Sequence, residues 1–187
     1  MGFPTIDTGL MTVDEFYVFA DTRPDHEKWE LIGGEPFMNA AASPTHGMIV
    51  MNIGVALAIR EREINAAWAV IPDLGVRVSD RDRPQPDVAV ITGAPTRSRD
   101  TRDVIVAFEV LSPSTRDRDF GWKQKAYTSL PSLTHYVAVS QDEIHVTVFA
   151  RDDDFKPRIF SSHDDVIEFR SLDARLQLAD VYRRTGL

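Results

Sequence analysis

The run Val104-Ile105-Val106-Ala107-Phe108-Glu109-Val110-Leu111 constrains this chain more than any other segment, because its apolar residues read as a buried strand that one carboxylate interrupts. Side chains alternate along a strand, which puts Ile105, Ala107, Glu109 and Leu111 on one face and Val106, Phe108 and Val110 on the other. Burying a carboxylate among such neighbours without a partner costs several kcal/mol. Glu109 therefore asks for a cation, a metal or a shifted pKa beside it. A second acid, Asp87, opens the apolar run Pro86-Asp87-Val88-Ala89-Val90-Ile91, and Lys123 follows in Asp119-Phe120-Gly121-Trp122-Lys123-Gln124-Lys125-Ala126-Tyr127.

If the two strands are neighbours, both carboxylates can point to the same side at ~5 Å strand spacing. That arrangement suits a shared hard cation, Mg²⁺ or Mn²⁺, which takes oxygen ligands and keeps several waters. Each residue also has a plainer reading. Asp87 can cap a turn after Pro86, Glu109 can sit in a buried ion pair, and Lys123 can pair with Asp119 on an exposed helix.

The 187 residues are enough for one domain, residues 1–187, with a real core. No apolar run approaches the ~20 residues that span a bilayer, so no membrane partner is expected. The first residues lack the basic start and apolar stretch of a secretory signal, which makes cytoplasmic residence the expectation. With no cysteine, disulfides, thiol catalysis and Cys-ligated zinc are excluded. A formal charge of -8 argues against indiscriminate grip on nucleic acid, whose phosphates are held through Lys and Arg. Arginines do cluster at Arg77, Arg81, Arg83, Arg97, Arg99, Arg102, Arg116 and Arg118, but Asp80, Asp82, Asp100, Asp103, Asp117 and Asp119 are interleaved with them, as on a solvated mixed-charge surface.

Thr12-Val13-Asp14-Glu15 is a capping box opening a short helix that ends before Pro24. A hairpin follows, residues 28–32 and 36–39 around Gly33-Gly34. After a loop at 42–45, Ile49, Ile53, Ala56 and Leu57 mark a long helix over 46–64. Strands are expected at 68–74, 75–78, 87–91, 104–111, 134–139 and 143–150, with an edge strand at 166–169. A helix over 120–130 should stop at Pro131, and a closing helix is expected over 176–184. This mixture is an α/β or α+β sheet domain.

In this order the chain resembles the Uma2 family, a group assigned to the endonucleases of the PD-(D/E)xK superfamily. The matching segments are Trp29-Glu30-Leu31-Ile32-Gly33-Gly34-Glu35, Ser43-Pro44-Thr45-His46, Pro86-Asp87-Val88-Ala89-Val90, Phe108-Glu109-Val110-Leu111-Ser112-Pro113-Ser114-Thr115, and Asp119 through Lys123 to Tyr127. They cover residues 12 to about 140. The resemblance implies a restriction-endonuclease-like fold, a central mixed β-sheet flanked by helices, with Asp87 and Glu109 as metal ligands and Glu30 as an additional acid. The superfamily's commonest form has lysine two residues beyond the second acid; here that position is Leu111, and the lysine has moved to the following helix as Lys123.

The resulting expectation is a Mg²⁺-dependent endonuclease acting on DNA, in which Lys123 stabilises developing charge and Glu30 helps orient water. The arginine-rich loops would bind substrate, doubled across a symmetric homodimer. Tyr127 shares the Lys123 helix face, where it can pack, donate a hydrogen bond or touch substrate. His46 begins a helix, where it can cap or contact phosphate, and Glu30 can be an exposed ion pair instead of a site residue. Other classes stay open: a catalytically inert nuclease-fold binding protein, or a hydrolase of RNA or another phosphodiester.

Overall fold

The computed structural model describes residues 9–112 and 119–187. Asp117 and the arginines at 116 and 118 lie outside the described residues, and of Asp119 the backbone alone is described. Four α-helices are present among the described residues: α1 (Val13–Ala20), α2 (Pro44–Ile64), α3 (Gln124–Thr128) and α4 (Leu178–Val181). None is long and apolar enough to cross a membrane.

The strands are β1 (Trp29–Ile32), β2 (Glu35–Met38), β3 (Trp68–Pro72), β4 (Gly75–Val76), β5 (Val88–Thr92), β6 (Asp100–Thr101), β7 (Val104–Leu111), β8 (His135–Ser140), β9 (Val146–Ala150), β10 (Pro157–Phe160), β11 (Val166–Phe169) and β12 (Ala174–Gln177). Six of them form the central sheet in the order β10-β9-β8-β7-β5-β3. β7 and β8 run parallel, while the other neighbours are antiparallel. A parallel pair needs a long crossover, and the segment between these two strands carries the π-helical turn Asp119–Lys123 and α3.

Both faces of β7 are covered, which is why its sequence is apolar on both parities. On one face Val106, Phe108 and Val110 pack with Ile49, Ile53 and Leu57 of α2 and with the β11–β12 hairpin and α4. On the other, Ala107 and Leu111 pack with Tyr127, Leu130, Leu133 and Tyr136. A third cluster, Met11, Val13, Phe16 and Leu31, fastens α1 to β1.

The alternation fails at one place. The register shifts between Val90 and Ile91, so Val106 faces Val90 while Val104 faces Ile91, and Ile105 is the extra residue of a β-bulge. Ile105 thus packs with the α2 side, and Val104 takes its expected place among the α3-side residues.

Several boundaries differ from expectation. α2 begins at Pro44, inside the expected loop, because Ser43 accepts from the His46 amide and proline fits the first helical turn. The expected helix over 120–130 is a π-helical turn followed by five α-helical residues, ending at Thr128. The β11 strand is not an edge of the main sheet; it pairs with β12, a strand that runs into the start of the expected closing helix, and the edges are β10 and β3. Only Leu178–Val181 of the tail is helical.

Candidate functional site

Pairing of Val88 with Phe108 brings the start of β5 beside the end of β7. Asp87, one residue before β5, therefore stands beside Glu109, one residue beyond Phe108, on the face occupied by Ala89 and Ala107. The Asp87 Oδ2 accepts from the Val110 backbone amide at 2.7 Å, which locks that carboxylate against β7 past the end of its own strand. Its Oδ1 lies 3.1 Å from Nε2 of His46, delivered by the first turn of α2.

Glu109 meets α3. Lys123 Nζ donates to Glu109 Oε1 at 3.0 Å, and the Tyr127 hydroxyl donates to the same oxygen at 3.0 Å. Lys123 closes the π-helical turn and Tyr127 lies four residues on, so both reach the sheet from one helix face. Burial, and then the negative charges of Glu109 and Glu30, push the Tyr127 phenol well above its ordinary pKa. It is consequently a neutral hydrogen-bond donor throughout the working pH range.

Glu30 completes the arrangement from β1. Its Oε1 lies 2.8 Å from Lys123 Nζ and accepts from the Gln85 amide at 2.8 Å. The side chains of Glu30, Lys123 and Glu109 are 0%, 3% and 5% exposed, so these charges meet in a medium where an unpaired one would be very costly. Lys123 is thus not on an exposed helix, and Glu30 is not an exposed pair. Lys123 bridges Glu30 and Glu109, and the His46 imidazole lies against Asp87.

Asp87, Glu109, Lys123 and His46 line a cavity of about 600 Å³, together with Ser43, Gln85 and Gln141. Glu30 lies behind Lys123, away from that lining. The sequence gives neither Gln85 nor Gln141 a place in the site, Gln141 reading as part of the turn Ser140-Gln141-Asp142. The Pro84-Gln85-Pro86 context does carry a signal for Gln85, since a residue before proline is held extended and the two prolines flanking it donate no ladder bonds. Gln141 accepts from the Ser43 hydroxyl at 2.6 Å, a contact spanning 98 residues that no local pattern announces.

The expected arginine-rich surface is largely committed elsewhere. Arg77 pairs with Asp14 and Asp100, Arg99 with Asp21, and Arg102 with Asp80. Arg83 is buried, donating to Gln85 and to the Arg99 carbonyl. The Trp68 ring is core, and Trp29 packs edge-on against Phe19.

A mixed sheet covered by helices, with two acids at one sheet end and a lysine from the crossover, is a restriction-endonuclease-like architecture. The Uma2 family, described as "Putative restriction endonuclease", matches residues 13–179, and the chain belongs to that family. A relative in Synechocystis sp., "Uncharacterized protein slr1290", is 26% identical over 164 residues, 84% of each chain. The crystal structure of "a putative nuclease belonging to DUF820" from Anabaena variabilis superposes with a TM-score of 0.74 at 16% identity, covering 92% of this chain and 97% of that one, which is a likeness of fold.

Proposed function

We propose that this chain is a divalent-metal-dependent nuclease hydrolysing phosphodiester bonds of DNA, with Asp87, Glu109 and Lys123 as its working side chains. The observation that carries this reading is the opening of all three onto one cavity where β5 begins and β7 ends. The donor set fits Mg²⁺ or Mn²⁺: Asp87 and Glu109 would hold the ion through hard oxygens, leaving its remaining positions to water and substrate. Among the described residues, no group of three or more His, Cys, Asp and Glu side chains is arranged to enclose a cation. When bound, such an ion polarises a phosphoryl oxygen and makes an attacking water more acidic.

The protein's own groups do the positioning. Lys123 presents an ammonium to negative charge developing on the phosphate. Glu30 anchors that ammonium from behind, which suits it to positioning Lys123 better than to orienting water. Tyr127 fixes the Glu109 carboxylate by a neutral hydrogen bond, and His46 braces Asp87. Cytoplasmic residence and a two-copy assembly belong to this proposal as well.

The test is cleavage of plasmid DNA by the purified chain with Mg²⁺ or Mn²⁺. Asp87→Ala should lower the rate by on the order of 100-fold or more while leaving the far-ultraviolet circular dichroism unchanged. Cleavage that survives in this variant, or in the presence of a chelator, would defeat the assignment. A second reading, a binding protein without turnover, is favoured by one observation: the Lys123 ammonium is already 2.8 and 3.0 Å from two glutamates. Titration calorimetry with Mn²⁺ beside cleavage assays on DNA and RNA separates the two and identifies the phosphodiester.

A further inference from the structure

The first turns of α2 carry an anomaly unrelated to the cavity. From Gly47 to Ile59 the helix contains no charged residue and one polar side chain, Asn52. Ile49, Ile53 and Leu57 are fully buried against the sheet. On the opposite side Met48, Met51, Val55 and Ile59 are 37%, 62%, 47% and 52% exposed. A helix that is apolar all round is ordinarily buried all round.

The exposed stripe has a symmetry of its own. Met48, Met51, Val55, Ile59 and the exposed Arg62 follow steps of three, four, four and three residues, the same read from either end and centred on Val55. An antiparallel helix pair about a two-fold axis through Val55 sets Val55 on its own copy, Met51 on Ile59 of the second copy, and Met48 on the aliphatic stem of Arg62 of the second copy. Gly54 beside the axis has open space where a Cβ would be. Nothing among the described residues requires glycine there, although it costs about 1 kcal/mol relative to alanine in a helix.

Charge argues against a polyanion as the occupant. Val55, Ala56 and Ile59 also line a groove of about 910 Å³ whose other walls carry four arginines and four acids, Arg60, Arg183, Glu63 and Asp180 among them. A polyanion would be held by an excess of cationic side chains. Here Arg60 is already paired with Glu63 and Asp173, and Arg175 with Glu168, so the rim offers no cationic excess, and what remains to be covered is the apolar stripe, which complements its own copy.

We propose that this face of α2 is the interface for a second copy of this chain, joined α2 to α2, antiparallel, on a two-fold axis through Val55. The inference does not rest on the catalytic reading. Because the chain lacks cysteine, Val55→Cys supplies a single thiol. Helix axes ~8–10 Å apart, with Cα atoms ~2.3 Å off axis, leave the two Val55 Cα atoms roughly 4–5 Å apart, within disulfide reach. Mild oxidation should convert most of V55C to a disulfide-linked dimer on a non-reducing gel, whereas Val18→Cys, on the exposed side of α1 at 70% exposure, should remain single. By analytical ultracentrifugation the unmodified chain should sediment as a dimer at high micromolar concentration, and Val55→Asp as a folded monomer. A monomeric unmodified chain, which would leave the face to a different protein, overturns the proposal. So does a V55C variant that fails to cross-link, or a Val55→Asp variant that stays dimeric.

Discussion

Removing the Lys123 ammonium leaves Glu30 and Glu109, both nearly shut off from solvent, without the cation that lies between them. Breaking a buried pair by deleting one partner typically costs about 3–5 kcal/mol, because an uncompensated charge remains. Lys123→Met should therefore lower the free energy of unfolding in urea by an amount of that order. The paired change Glu30→Gln with Lys123→Met should cost less than the sum of the single changes, since the two residues act as a unit. Strict additivity would show that Glu30 and Lys123 do not depend on each other.

At the scale of elements, the short strand β4 is clamped by a side chain. A Cβ at Gly75 would lie 2.0 Å from Nη2 of Arg83, whose guanidinium also faces the rings of Phe16 and Tyr17 on α1. The bare backbone of Gly75 is what lets Arg83 pass beneath it. Gly75→Ala should destabilise the fold by about 1–3 kcal/mol, the usual cost of overpacking, as a lower urea midpoint at unchanged slope. The same arginine stands just before the Pro84-Gln85-Pro86 segment that delivers Asp87 and supplies an amide to Glu30. Gly75→Ala should therefore lower any cleavage activity too, although Gly75 is not among the residues lining the cavity.

For the molecule as a whole, three tyrosines whose phenols are raised by burial, Tyr17, Tyr127 and Tyr182, set an alkaline limit. Burial pushes the Tyr182 phenol up to about 12, and its hydroxyl bridges α4 to the turn between β8 and β9 through Ser140 and His145. A phenol whose folded pKa exceeds its unfolded value near 10 is kept protonated by the fold. Its contribution is whole below pH 10 and is lost as pH rises towards 12, and Tyr127 acts in the same direction. Urea unfolding should show stability falling across that window, with Tyr182→Phe flattening part of the fall; an identical slope in the variant would remove Tyr182 from the account. Much of the site was legible locally. The capping box, the Gly33-Gly34 hairpin and the acid interrupting β7 are short-range patterns, because caps, turns and side-chain alternation depend on residues a few positions apart. Asp87 beside Glu109 was readable as a conditional, given adjacent strands. Sequence could not reveal the bulge at Ile105, the pairing of β11 with β12, or the seat of Glu30 behind Lys123. Those depend on which segments distant in the chain meet, and that is decided by packing two sheet faces at once. The residues determined that a buried carboxylate needed a partner; the tertiary structure decided that the partner is Lys123, because the crossover after β7 folds back over the sheet face that Glu109 occupies.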